Sequence, residues 1–297
     1  MSPGAVGTRK PDVWLIATHN GTFHTDEVFA CAAVLLMYPQ ARVIRTRDPK
    51  ELMRADVVLD VGGALNPDTL RFDHHQMGGA GTRANGVPYS SFGLVWRYMV
   101  RPWGGLSERV WRTIDKDLVQ PIDLEDNGAG FPARQGVHPH TTRSIINGFR
   151  PTWNDHEADW DAAFTFAVEV AKVLLNNAIA HAKAEDAAGV VVQKAITNAE
   201  DPRIITLKHR NIPWRDHVQN SSVQYIIYPE SHGWRVRAFS NKSQHRQFPR
   251  AWWALEDEVL ITASGVPGAR FCHRNGFVLG AKTLEAAEQL AKIAADT

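Results

Sequence analysis

The chain is poor in cysteine and carries almost no net charge. Two cysteines among 297 residues, Cys31 and Cys272, lie far apart and argue against a disulfide framework, so we expect a reducing compartment, the cytoplasm. Lys and Arg number 33 and Asp and Glu 32, a net charge of +1, which excludes a global basic field for nucleic acid. Residues 190–297 hold 14 basic and 10 acidic side chains, and this mild excess would suit an anionic ligand.

Long hydrophobic runs are also lacking. No continuous run approaches the ~18 apolar residues that cross a membrane, so we expect no membrane association. The opening "MSPGAVGTRKPDV" has no apolar core of a signal peptide and is interpreted as a short disordered lead-in. A hydrophobic content of 44% is ordinary for a globular protein, and the length suits two domains.

Strand and helix patterns alternate in the first half of the chain. Apolar runs typical of strands buried on both faces are "VWLIATH" (13–19), "ARVIRT" (41–46), "ADVVLDVGG" (55–63) and "LRFD" (70–73). Helical spacing is present over residues 26–38, 90–100 and 106–128. This alternation predicts an α/β domain built on a doubly wound parallel sheet.

The second half of the chain has a different pattern of predicted helices and strands. Residues 155–188 are Ala-rich and helical, and after Gly189 come the short strand-like runs "VVVQK", "RIITLK", "SVQYIIYP" and "WRVRAFS" before a final helix at 283–294. We therefore expect three parts: a metal-binding catalytic domain over 12–150, a connecting helical segment over 151–189, and a smaller α+β substrate-binding domain over 190–297.

Polar residues follow the predicted strands at the points where these end. They are His19, Asp60 and the run Asp73, His74 and His75, while His24 and Asp26 begin the first helix and Asp126 lies in a loop candidate. Ligands of open parallel sheets bind outside the carboxyl ends of the strands, so these side chains should converge. Each residue alone has an ordinary structural explanation, such as a helix-terminal acid for Asp26 or a turn residue for Asp60, but their shared position favours a site.

The chemistry of this set indicates divalent cations. Imidazoles and carboxylates without thiolates suit Mn²⁺, Mg²⁺, Fe²⁺ or Co²⁺, and zinc less exclusively. Carboxylates crowded together repel one another unless cations neutralise them. Two cations sharing a carboxylate are a common means of activating water against a phosphoester.

The motifs resemble those of a known superfamily. "THNGTFHTDEVFA", "VVLDVGG", "RFDHHQ" and "DLEDNG" resemble, in order, the four motifs of the DHH phosphoesterases, which include RecJ-type exonucleases and family II pyrophosphatases. Over about residues 12–290 the chain is similar to the melanocyte-proliferating-gene-one family of that superfamily, through "YSSFGLVW", "DNG", "PTWN" and "FCHRNGFVLGAKT" as well.

The resemblance implies roles for individual residues. It implies a first metal held by His19, His24 and Asp60, and a second held by Asp26, Asp60, His74 and Asp126, with Asp60 bridging. Asp123 is the rival of Asp126 in the fourth motif. Asp73 would orient a neighbouring histidine, and His75 would face the substrate phosphate. The first motif departs from the superfamily, because His24 replaces an aspartate and one residue is inserted; the less negative site that results would favour Mn²⁺ over Mg²⁺, with Co²⁺ as a further alternative.

Further residues are candidates for substrate contact. Ser90 and Ser91 precede a helix whose N–H groups could accept a phosphate, although a plain N-cap is the simpler explanation. Arg270, His273 and Arg274 lie in "RFCHRNGF", where basic and aromatic residues interleave as in single-strand binders, although a core role is the alternative.

These observations together predict a metal-dependent phosphodiesterase. We expect an exonuclease on short single-stranded RNA or oligonucleotides that uses two cations, most simply Mn²⁺, and a hydroxide bridging them. A pyrophosphatase or small-nucleotide phosphatase on the same site is one alternative. A non-catalytic, metal-containing nucleic-acid-binding regulator is another. A homodimer is compatible with the chain, but the sequence does not decide the oligomeric state.

Overall fold

The computed structural model describes residues 13–240 and 246–297. The expected lead-in, residues 1–13, lies outside the described residues except for Val13. The chain divides into two compact units, Met1–Lys183 and Ala184–Thr297. Each unit has a five-stranded sheet with helices packed on it, so the predicted mixed α/β class is confirmed.

The sheet of the first unit is parallel except at one edge. Its order is β2-β1-β3-β5-β4, and only β4 is antiparallel to its neighbour. The strands are β1 (Leu15–Thr18), β2 (Arg42–Arg45), β3 (Val57–Leu59), β4 (Leu65–Asn66) and β5 (Arg71–Phe72). The four predicted strands are β1, β2, β3 and β5, each shorter than its apolar run. The two-residue strand β4 was not predicted, because no apolar run marks it in the sequence.

Helices cover both faces of this sheet. Alternate side chains of a strand point to opposite faces, and Ile16 accordingly enters the large core while Ala17 enters a small cluster with Leu52. The helices of the first unit are α1 (Thr25–Met37), α2 (Pro49–Arg54), α3 (Ser91–Val95), α4 (Arg101–Trp103), α5 (Glu108–Ile114), α6 (Gln120–Asp126) and α7 (Thr142–Asn147). Two π-helical stretches, Trp96–Val100 and Asp115–Val119, join α3 to α4 and α5 to α6.

The long helix α8 spans Trp160–Thr197 and runs further than predicted. The prediction of a strand at "VVVQK" was wrong, because these residues belong to α8. Val192 is buried there among apolar residues of the second unit, so packing overrides the β-propensity of the valines. By length and composition alone α8 is long and apolar enough to cross a membrane, and 28% of its most apolar window is buried. The expected absence of membrane association stays a prediction.

The second unit has a mostly antiparallel sheet of order β6-β7-β8-β10-β9, in which only the β6–β7 pair is parallel. Its strands are β6 (Ile204–Thr206), β7 (Tyr225–Glu230), β8 (Gly233–Ala238), β9 (Ala269–Cys272) and β10 (Val278–Ala281). Two helices, α9 (Asp257–Ser264) and α10 (Leu284–Asp296), contribute to its larger core. The predicted final helix is therefore present as α10.

A glycine in α3 permits a buried ionic contact. A Cβ atom at Gly93 would overlap the carboxylate of Asp123, which is fully buried and paired with Arg83 at 2.7 Å. We expect Gly93→Ala to lower the free energy of unfolding by about 1–3 kcal/mol, because overpacking forces buried groups apart. Thermal melting followed by circular dichroism measures the change.

The matched control is Gly130→Ala. Gly130 has no atom within 4 Å of an added Cβ and no positive φ, so this substitution should leave the melting temperature within error of the wild type. Equal melting temperatures for the two variants would contradict close packing at Gly93.

Candidate metal centre

The carboxyl ends of three adjacent strands bring the first polar residues together. His19 follows β1, Asp60 follows β3 and Asp73 follows β5, and these strands are neighbours in the sheet. Asp60 has a φ of +56°, a left-handed conformation that aspartate adopts more readily than most residues. Strain of this kind tends to persist at functional sites, where the surroundings hold it in place.

The first turn of α1 adds further polar groups from above the sheet edge. His24 is the N-cap, and its backbone N–H donates to Oε1 of Glu27 at 2.6 Å. Asp26 and Glu27 are both fully buried. The unpaired N–H groups and dipole of a helix N-terminus favour negative side chains at these positions.

One group of donors surrounds His19. Ligand atoms of His19, His24, Glu27 and Asp60 all lie within 4.8 Å of one another. Nε2 of His19 is 3.1 Å from Oε1 of Glu27 and 3.4 Å from Oδ2 of Asp60. Two imidazoles and two carboxylates therefore face a common point, and this set fits a divalent cation that accepts nitrogen and oxygen ligands.

A second set of donors surrounds His74. Its Nε2 lies 3.1 Å from Oδ2 of Asp126, 3.2 Å from Oδ1 of Asp60 and 3.8 Å from Oδ2 of Asp26. Asp26, His74 and Asp126 form one donor group, and Asp60, His74 and His75 form an overlapping one. The two oxygens of Asp60 thus approach different histidines, Oδ2 towards His19 and Oδ1 towards His74.

Several of these buried atoms have no hydrogen-bond partner within the described residues. They are Oδ1 of Asp26 and Oε2 of Glu27, together with Oδ1 of Asp60 and Nε2 of His74, which lie 3.2 Å apart without the geometry of a hydrogen bond. A buried polar atom without a partner costs about 1–3 kcal/mol, more if it is charged. Four such atoms in one place are the observation expected of ligands whose partner is a cation, so the residues fit bound metal.

The electrostatics of the site also favour positive charge. Burial alone would lower the pKa of His19, but the carboxylates of Asp60 and Glu27 raise it to about 10. For His74 burial is likewise opposed by Asp126 and Asp60, and the pKa is raised to about 10. Burial and the charges of Asp60 and Asp126 raise the pKa of Asp26 well above its usual range. The carboxylates thus hold protons on their neighbours when no other cation neutralises them.

Asp73 holds His75 at the edge of the cluster. Oδ1 of the buried Asp73 lies 2.8 Å from Nδ1 of His75 and accepts from the His75 backbone N–H, while Oδ2 accepts from Gly63 N–H at 2.6 Å. The His75 side chain is 61% exposed, in contrast to the 8% of His74. The structure therefore gives Asp73 an orienting position and leaves the His75 ring accessible.

The two fourth-motif candidates occupy different surroundings. Asp126 is the last residue of α6 and contacts His74. Asp123 lies one turn earlier, where it pairs with Arg83 and accepts from the Ser90 hydroxyl at 2.6 Å. Burial raises the pKa of Asp123 to about 6 despite the opposing effect of Arg83. The structure thus brings Asp126 to the candidate metal-binding cluster and Asp123 to an internal ion pair.

The structure places Ser90 and Ser91, the candidates for a phosphate site, inside the protein, and their role in substrate contact stays a prediction. Both residues are fully buried, and their hydroxyls donate to Asp123 and to the carbonyl of Phe72. The Ser91 N–H donates to Oδ2 of Asp26 at 3.2 Å. Since their donors are used inside the protein, these serines position Asp123 and Asp26.

The predicted substrate residues of the second unit lie around the β9–β10 hairpin. Nδ1 of His273 accepts from Asn275 N–H at 3.1 Å, and its ring centroid is 4.4 Å from that of Phe277. Arg270 is exposed and donates to the carbonyl of His232 at 2.7 Å, and Arg274 is exposed in the hairpin loop. These contacts stabilise the loop and leave both guanidinium groups at the surface of the unit.

Glu27 is the member of the cluster that sequence reasoning missed. In sequence it stands three residues after His24 at a helix start, where an acidic residue is explained by capping. The sequence did contain a pattern that could have identified Glu27, because "HTDE" places two acidic residues directly after a candidate histidine ligand. Structurally Glu27 has both roles, since Oε1 caps the helix and approaches His19.

The fold and the donor set together define a class: an α/β protein whose sheet carries, at its carboxyl edge, a histidine–carboxylate cluster that could hold metal ions. The chain belongs to the MYG1 exonuclease family, described as uncharacterised protein family UPF0160, whose model matches residues 15–295. The expected family membership is thereby confirmed.

Relatives of known name support an enzyme. The rat MYG1 exonuclease is 31% identical over 93% of this chain and 83% of its own length, and the bovine MYG1 exonuclease is 32% identical over the same shares. A MYG1 protein of Chlamydia trachomatis is 28% identical over 89% of this chain and 90% of its own length. No solved structure matches the chain. The names of the mammalian relatives confirm the expectation of a hydrolytic enzyme of the nuclease type.

Glu27→Gln separates the two roles of Glu27. The amide oxygen can still accept from His24 N–H, so we expect the melting temperature to stay near that of the wild type. Loss of one negative charge from a donor group should weaken cation binding by about tenfold or more. Titration with Mn²⁺ followed by calorimetry measures this loss. Glu51→Gln, in the first turn of α2 and exposed, is the matched control; unchanged Mn²⁺ affinity in Glu27→Gln would remove Glu27 from the centre.

Proposed function

We propose that the protein is a metal-dependent phosphodiesterase of the DHH phosphoesterase superfamily, acting as an exonuclease on short single-stranded RNA or oligonucleotides. The observation that carries the proposal is the position of Asp60 between two sets of donors, with one oxygen towards His19 and the other towards His74. A shared carboxylate of this kind suits two adjacent cations. The order of the four motifs along the chain supports the superfamily placement.

The donor sets suggest how two cations would be held. His19, His24 and Glu27 would serve one cation, Asp26, His74 and Asp126 the other, and Asp60 both. When bound, such cations supply an activated water and neutralise charge on the phosphate. The carboxylate of Glu27 restores the negative charge lost where His24 replaces an aspartate. The mixture of imidazole and carboxylate in both sets favours Mn²⁺, with Co²⁺ and Mg²⁺ as alternatives.

The remaining residues of the centre have roles that follow from their contacts. Asp73 fixes the His75 ring, which is accessible; with Nδ1–H donated to Asp73, the ring in its imidazolium form would also donate from Nε2 to a nonbridging phosphate oxygen. Ser91 holds Asp26 through its backbone N–H, so α3 contributes to the geometry of the donor set. These groups orient substrate and ligands and would not themselves attack the phosphorus.

Asp60→Asn tests the shared carboxylate. The change removes the negative charge common to both donor sets, so we expect at least one cation to be lost and hydrolysis to fall by 10³-fold or more, with the fold retained. Elemental analysis measures the metal content, and release of mononucleotides from an end-labelled RNA hexamer measures activity. Asp68→Asn, in the turn before β5, is the matched control.

The substrate that the protein hydrolyses fastest distinguishes the proposed exonuclease from a pyrophosphatase and from a non-catalytic binding protein. With Mn²⁺ the wild type should shorten RNA or DNA oligomers faster than it hydrolyses pyrophosphate. Preferred cleavage of pyrophosphate would assign the centre to a pyrophosphatase. Bound metal without hydrolysis of any of these substrates would leave a regulatory binding protein. Unchanged metal content and activity in Asp60→Asn would contradict the two-cation centre.

We further propose that the second unit binds substrate through Arg270, His273 and Arg274. His273→Ala should retain the metal content and lower kcat/KM on oligonucleotides by about 10–100-fold, the effect of losing a hydrogen bond worth roughly 1.5–3 kcal/mol. The exposed His209 supplies the control His209→Ala. A lower melting temperature with full activity per folded molecule would instead assign His273 to the hairpin, through its contacts with Asn275 and Phe277.

A further inference from the structure

The end of α7 and the segment that follows it contain polar atoms without partners. Nε of Arg150 and Oδ1 of Asn147 are buried and have no hydrogen-bond partner within residues 13–240 and 246–297. A guanidinium has five N–H donors, and leaving one buried and unused is costly. Arg150 is therefore a cationic group whose hydrogen-bonding capacity the folded chain does not use fully.

Arg150 lies beside the donor group of His19. Its Cζ is 5.8 Å from the ring centroid of Phe23, the residue before His24. Burial lowers the pKa of Arg150, the charge of Glu27 opposes this shift, and Arg143 adds to it. Arg150 forms no ion pair among the described residues, so it is not held by Glu27 in a closed contact. The guanidinium is thus close to the metal centre in space without belonging to its ligand set.

A second arginine on the same ring, Arg45, also has a buried Nε without a partner among the described residues, but its two terminal nitrogens are used inside the protein. Cζ of Arg45 is 5.9 Å from the Phe23 ring, and Arg45 donates to Oδ1 of Asp161 at 2.7 Å and to the carbonyls of Trp160 and Gly21. Arg45 ties β2 to the start of α8 and is a structural residue. Arg150 lacks an equivalent acidic partner and so remains available to an anion.

Three residues beyond Arg150 stands the most exposed tryptophan of the described residues. The Trp153 side chain is 90% exposed, whereas large aromatic side chains are usually well buried. The intervening Pro151 disfavours helix at Arg150, and three residues span at most about 10–11 Å of chain. An indole is therefore presented to solvent at a short distance from a cation next to the metal centre.

We infer that Arg150 and Trp153 form a nucleotide-binding element, in which the Arg150 guanidinium holds a phosphate and the Trp153 indole stacks on the base of the same or the adjacent nucleotide. The inference rests on the proposed function and makes it more specific. An arginine fork matches phosphate oxygens, and an indole face stacks on any base without sequence preference. The substrate class implied is a nucleotide chain rather than an inorganic phosphate compound.

Binding of AMP and of ribose 5-phosphate to the Mn²⁺-loaded protein separates the two contributions. Titration calorimetry on the full chain gives both affinities without any turnover. Base stacking is worth about 1–3 kcal/mol, or about 5–150-fold in affinity, so Trp153→Ala should weaken AMP by that factor and leave ribose 5-phosphate unchanged. Arg150→Gln should weaken both ligands alike, by about tenfold or more. Arg150→Lys should bind both ligands with intermediate affinity, because it keeps the charge and loses the fork.

Matched variants at exposed positions of the same unit serve as controls. Trp103→Ala and Arg112→Gln remove an exposed indole and an exposed guanidinium elsewhere, and both should bind AMP as the wild type does. Metal content should be unchanged in Arg150→Gln. Altered metal content in Arg150→Gln that is restored in Arg150→Lys would make Arg150 a counter-ion of Glu27 and overturn the inference.

The inference and the proposed function fail in different ways. Wild-type affinity for AMP in both Arg150→Gln and Trp153→Ala would overturn the nucleotide-binding element, even if the wild type degrades oligonucleotides. Loss of AMP affinity in these variants, with no hydrolysis of any substrate by the wild type, would uphold the element and reject the exonuclease.

Discussion

The position of Asp60 is the constraint on which the rest of the site depends. Its carboxylate is buried at the end of β3 and approaches His19 with one oxygen and His74 with the other. Buried carboxylates repel one another unless positive charge is supplied, and Asp26 and Glu27 stand close by on α1. The sheet edge, the helix start and the two histidines can be packed together only because a cation or bound protons neutralise this charge.

The structure supports this centre through contacts that are themselves buried. Asp26 accepts from the Ser91 N–H, and Asp73 holds His75 while accepting from Gly63. Behind them, Asp123 ties together Arg83, Ser90 and the backbone of α3. Asp123 and Ser90, which were site candidates in sequence, thus support the cluster from behind. A buried carboxylate needs hydrogen-bond donors, and these contacts supply them.

Glu27 and Arg150 each connect the local structure with the surroundings of the donor group. Glu27 satisfies an orphan N–H of α1 and reaches the donor group of His19 with the same oxygen. Arg150 packs on Phe23, which also contacts Trp160 and Phe164 of α8. The apolar residue next to His24 therefore links the metal centre to the core and to the segment that ends at the exposed Trp153.

Much of the first unit is predictable because its strands are buried on both faces and therefore appear as apolar runs. The end of each run fixes which side chains emerge at the edge, and this explains why His19, Asp60 and His74 could be grouped from sequence. The mixed α/β class follows from the same alternation. Family membership follows from motifs that are themselves strand ends and helix starts.

Other features were decided by tertiary packing. The valines of "VVVQK" have strand propensity, yet Val192 is buried as part of α8, so its helical state depends on partners distant in sequence. Asp123 and Asp126 are equally acidic in sequence, and only the fold directs one to Arg83 and the other to His74. Sequence alone determines where polar residues follow the apolar runs, because that depends on the local pattern. Which of these residues contact one another depends on helix phase and burial, and both are set only in the folded chain.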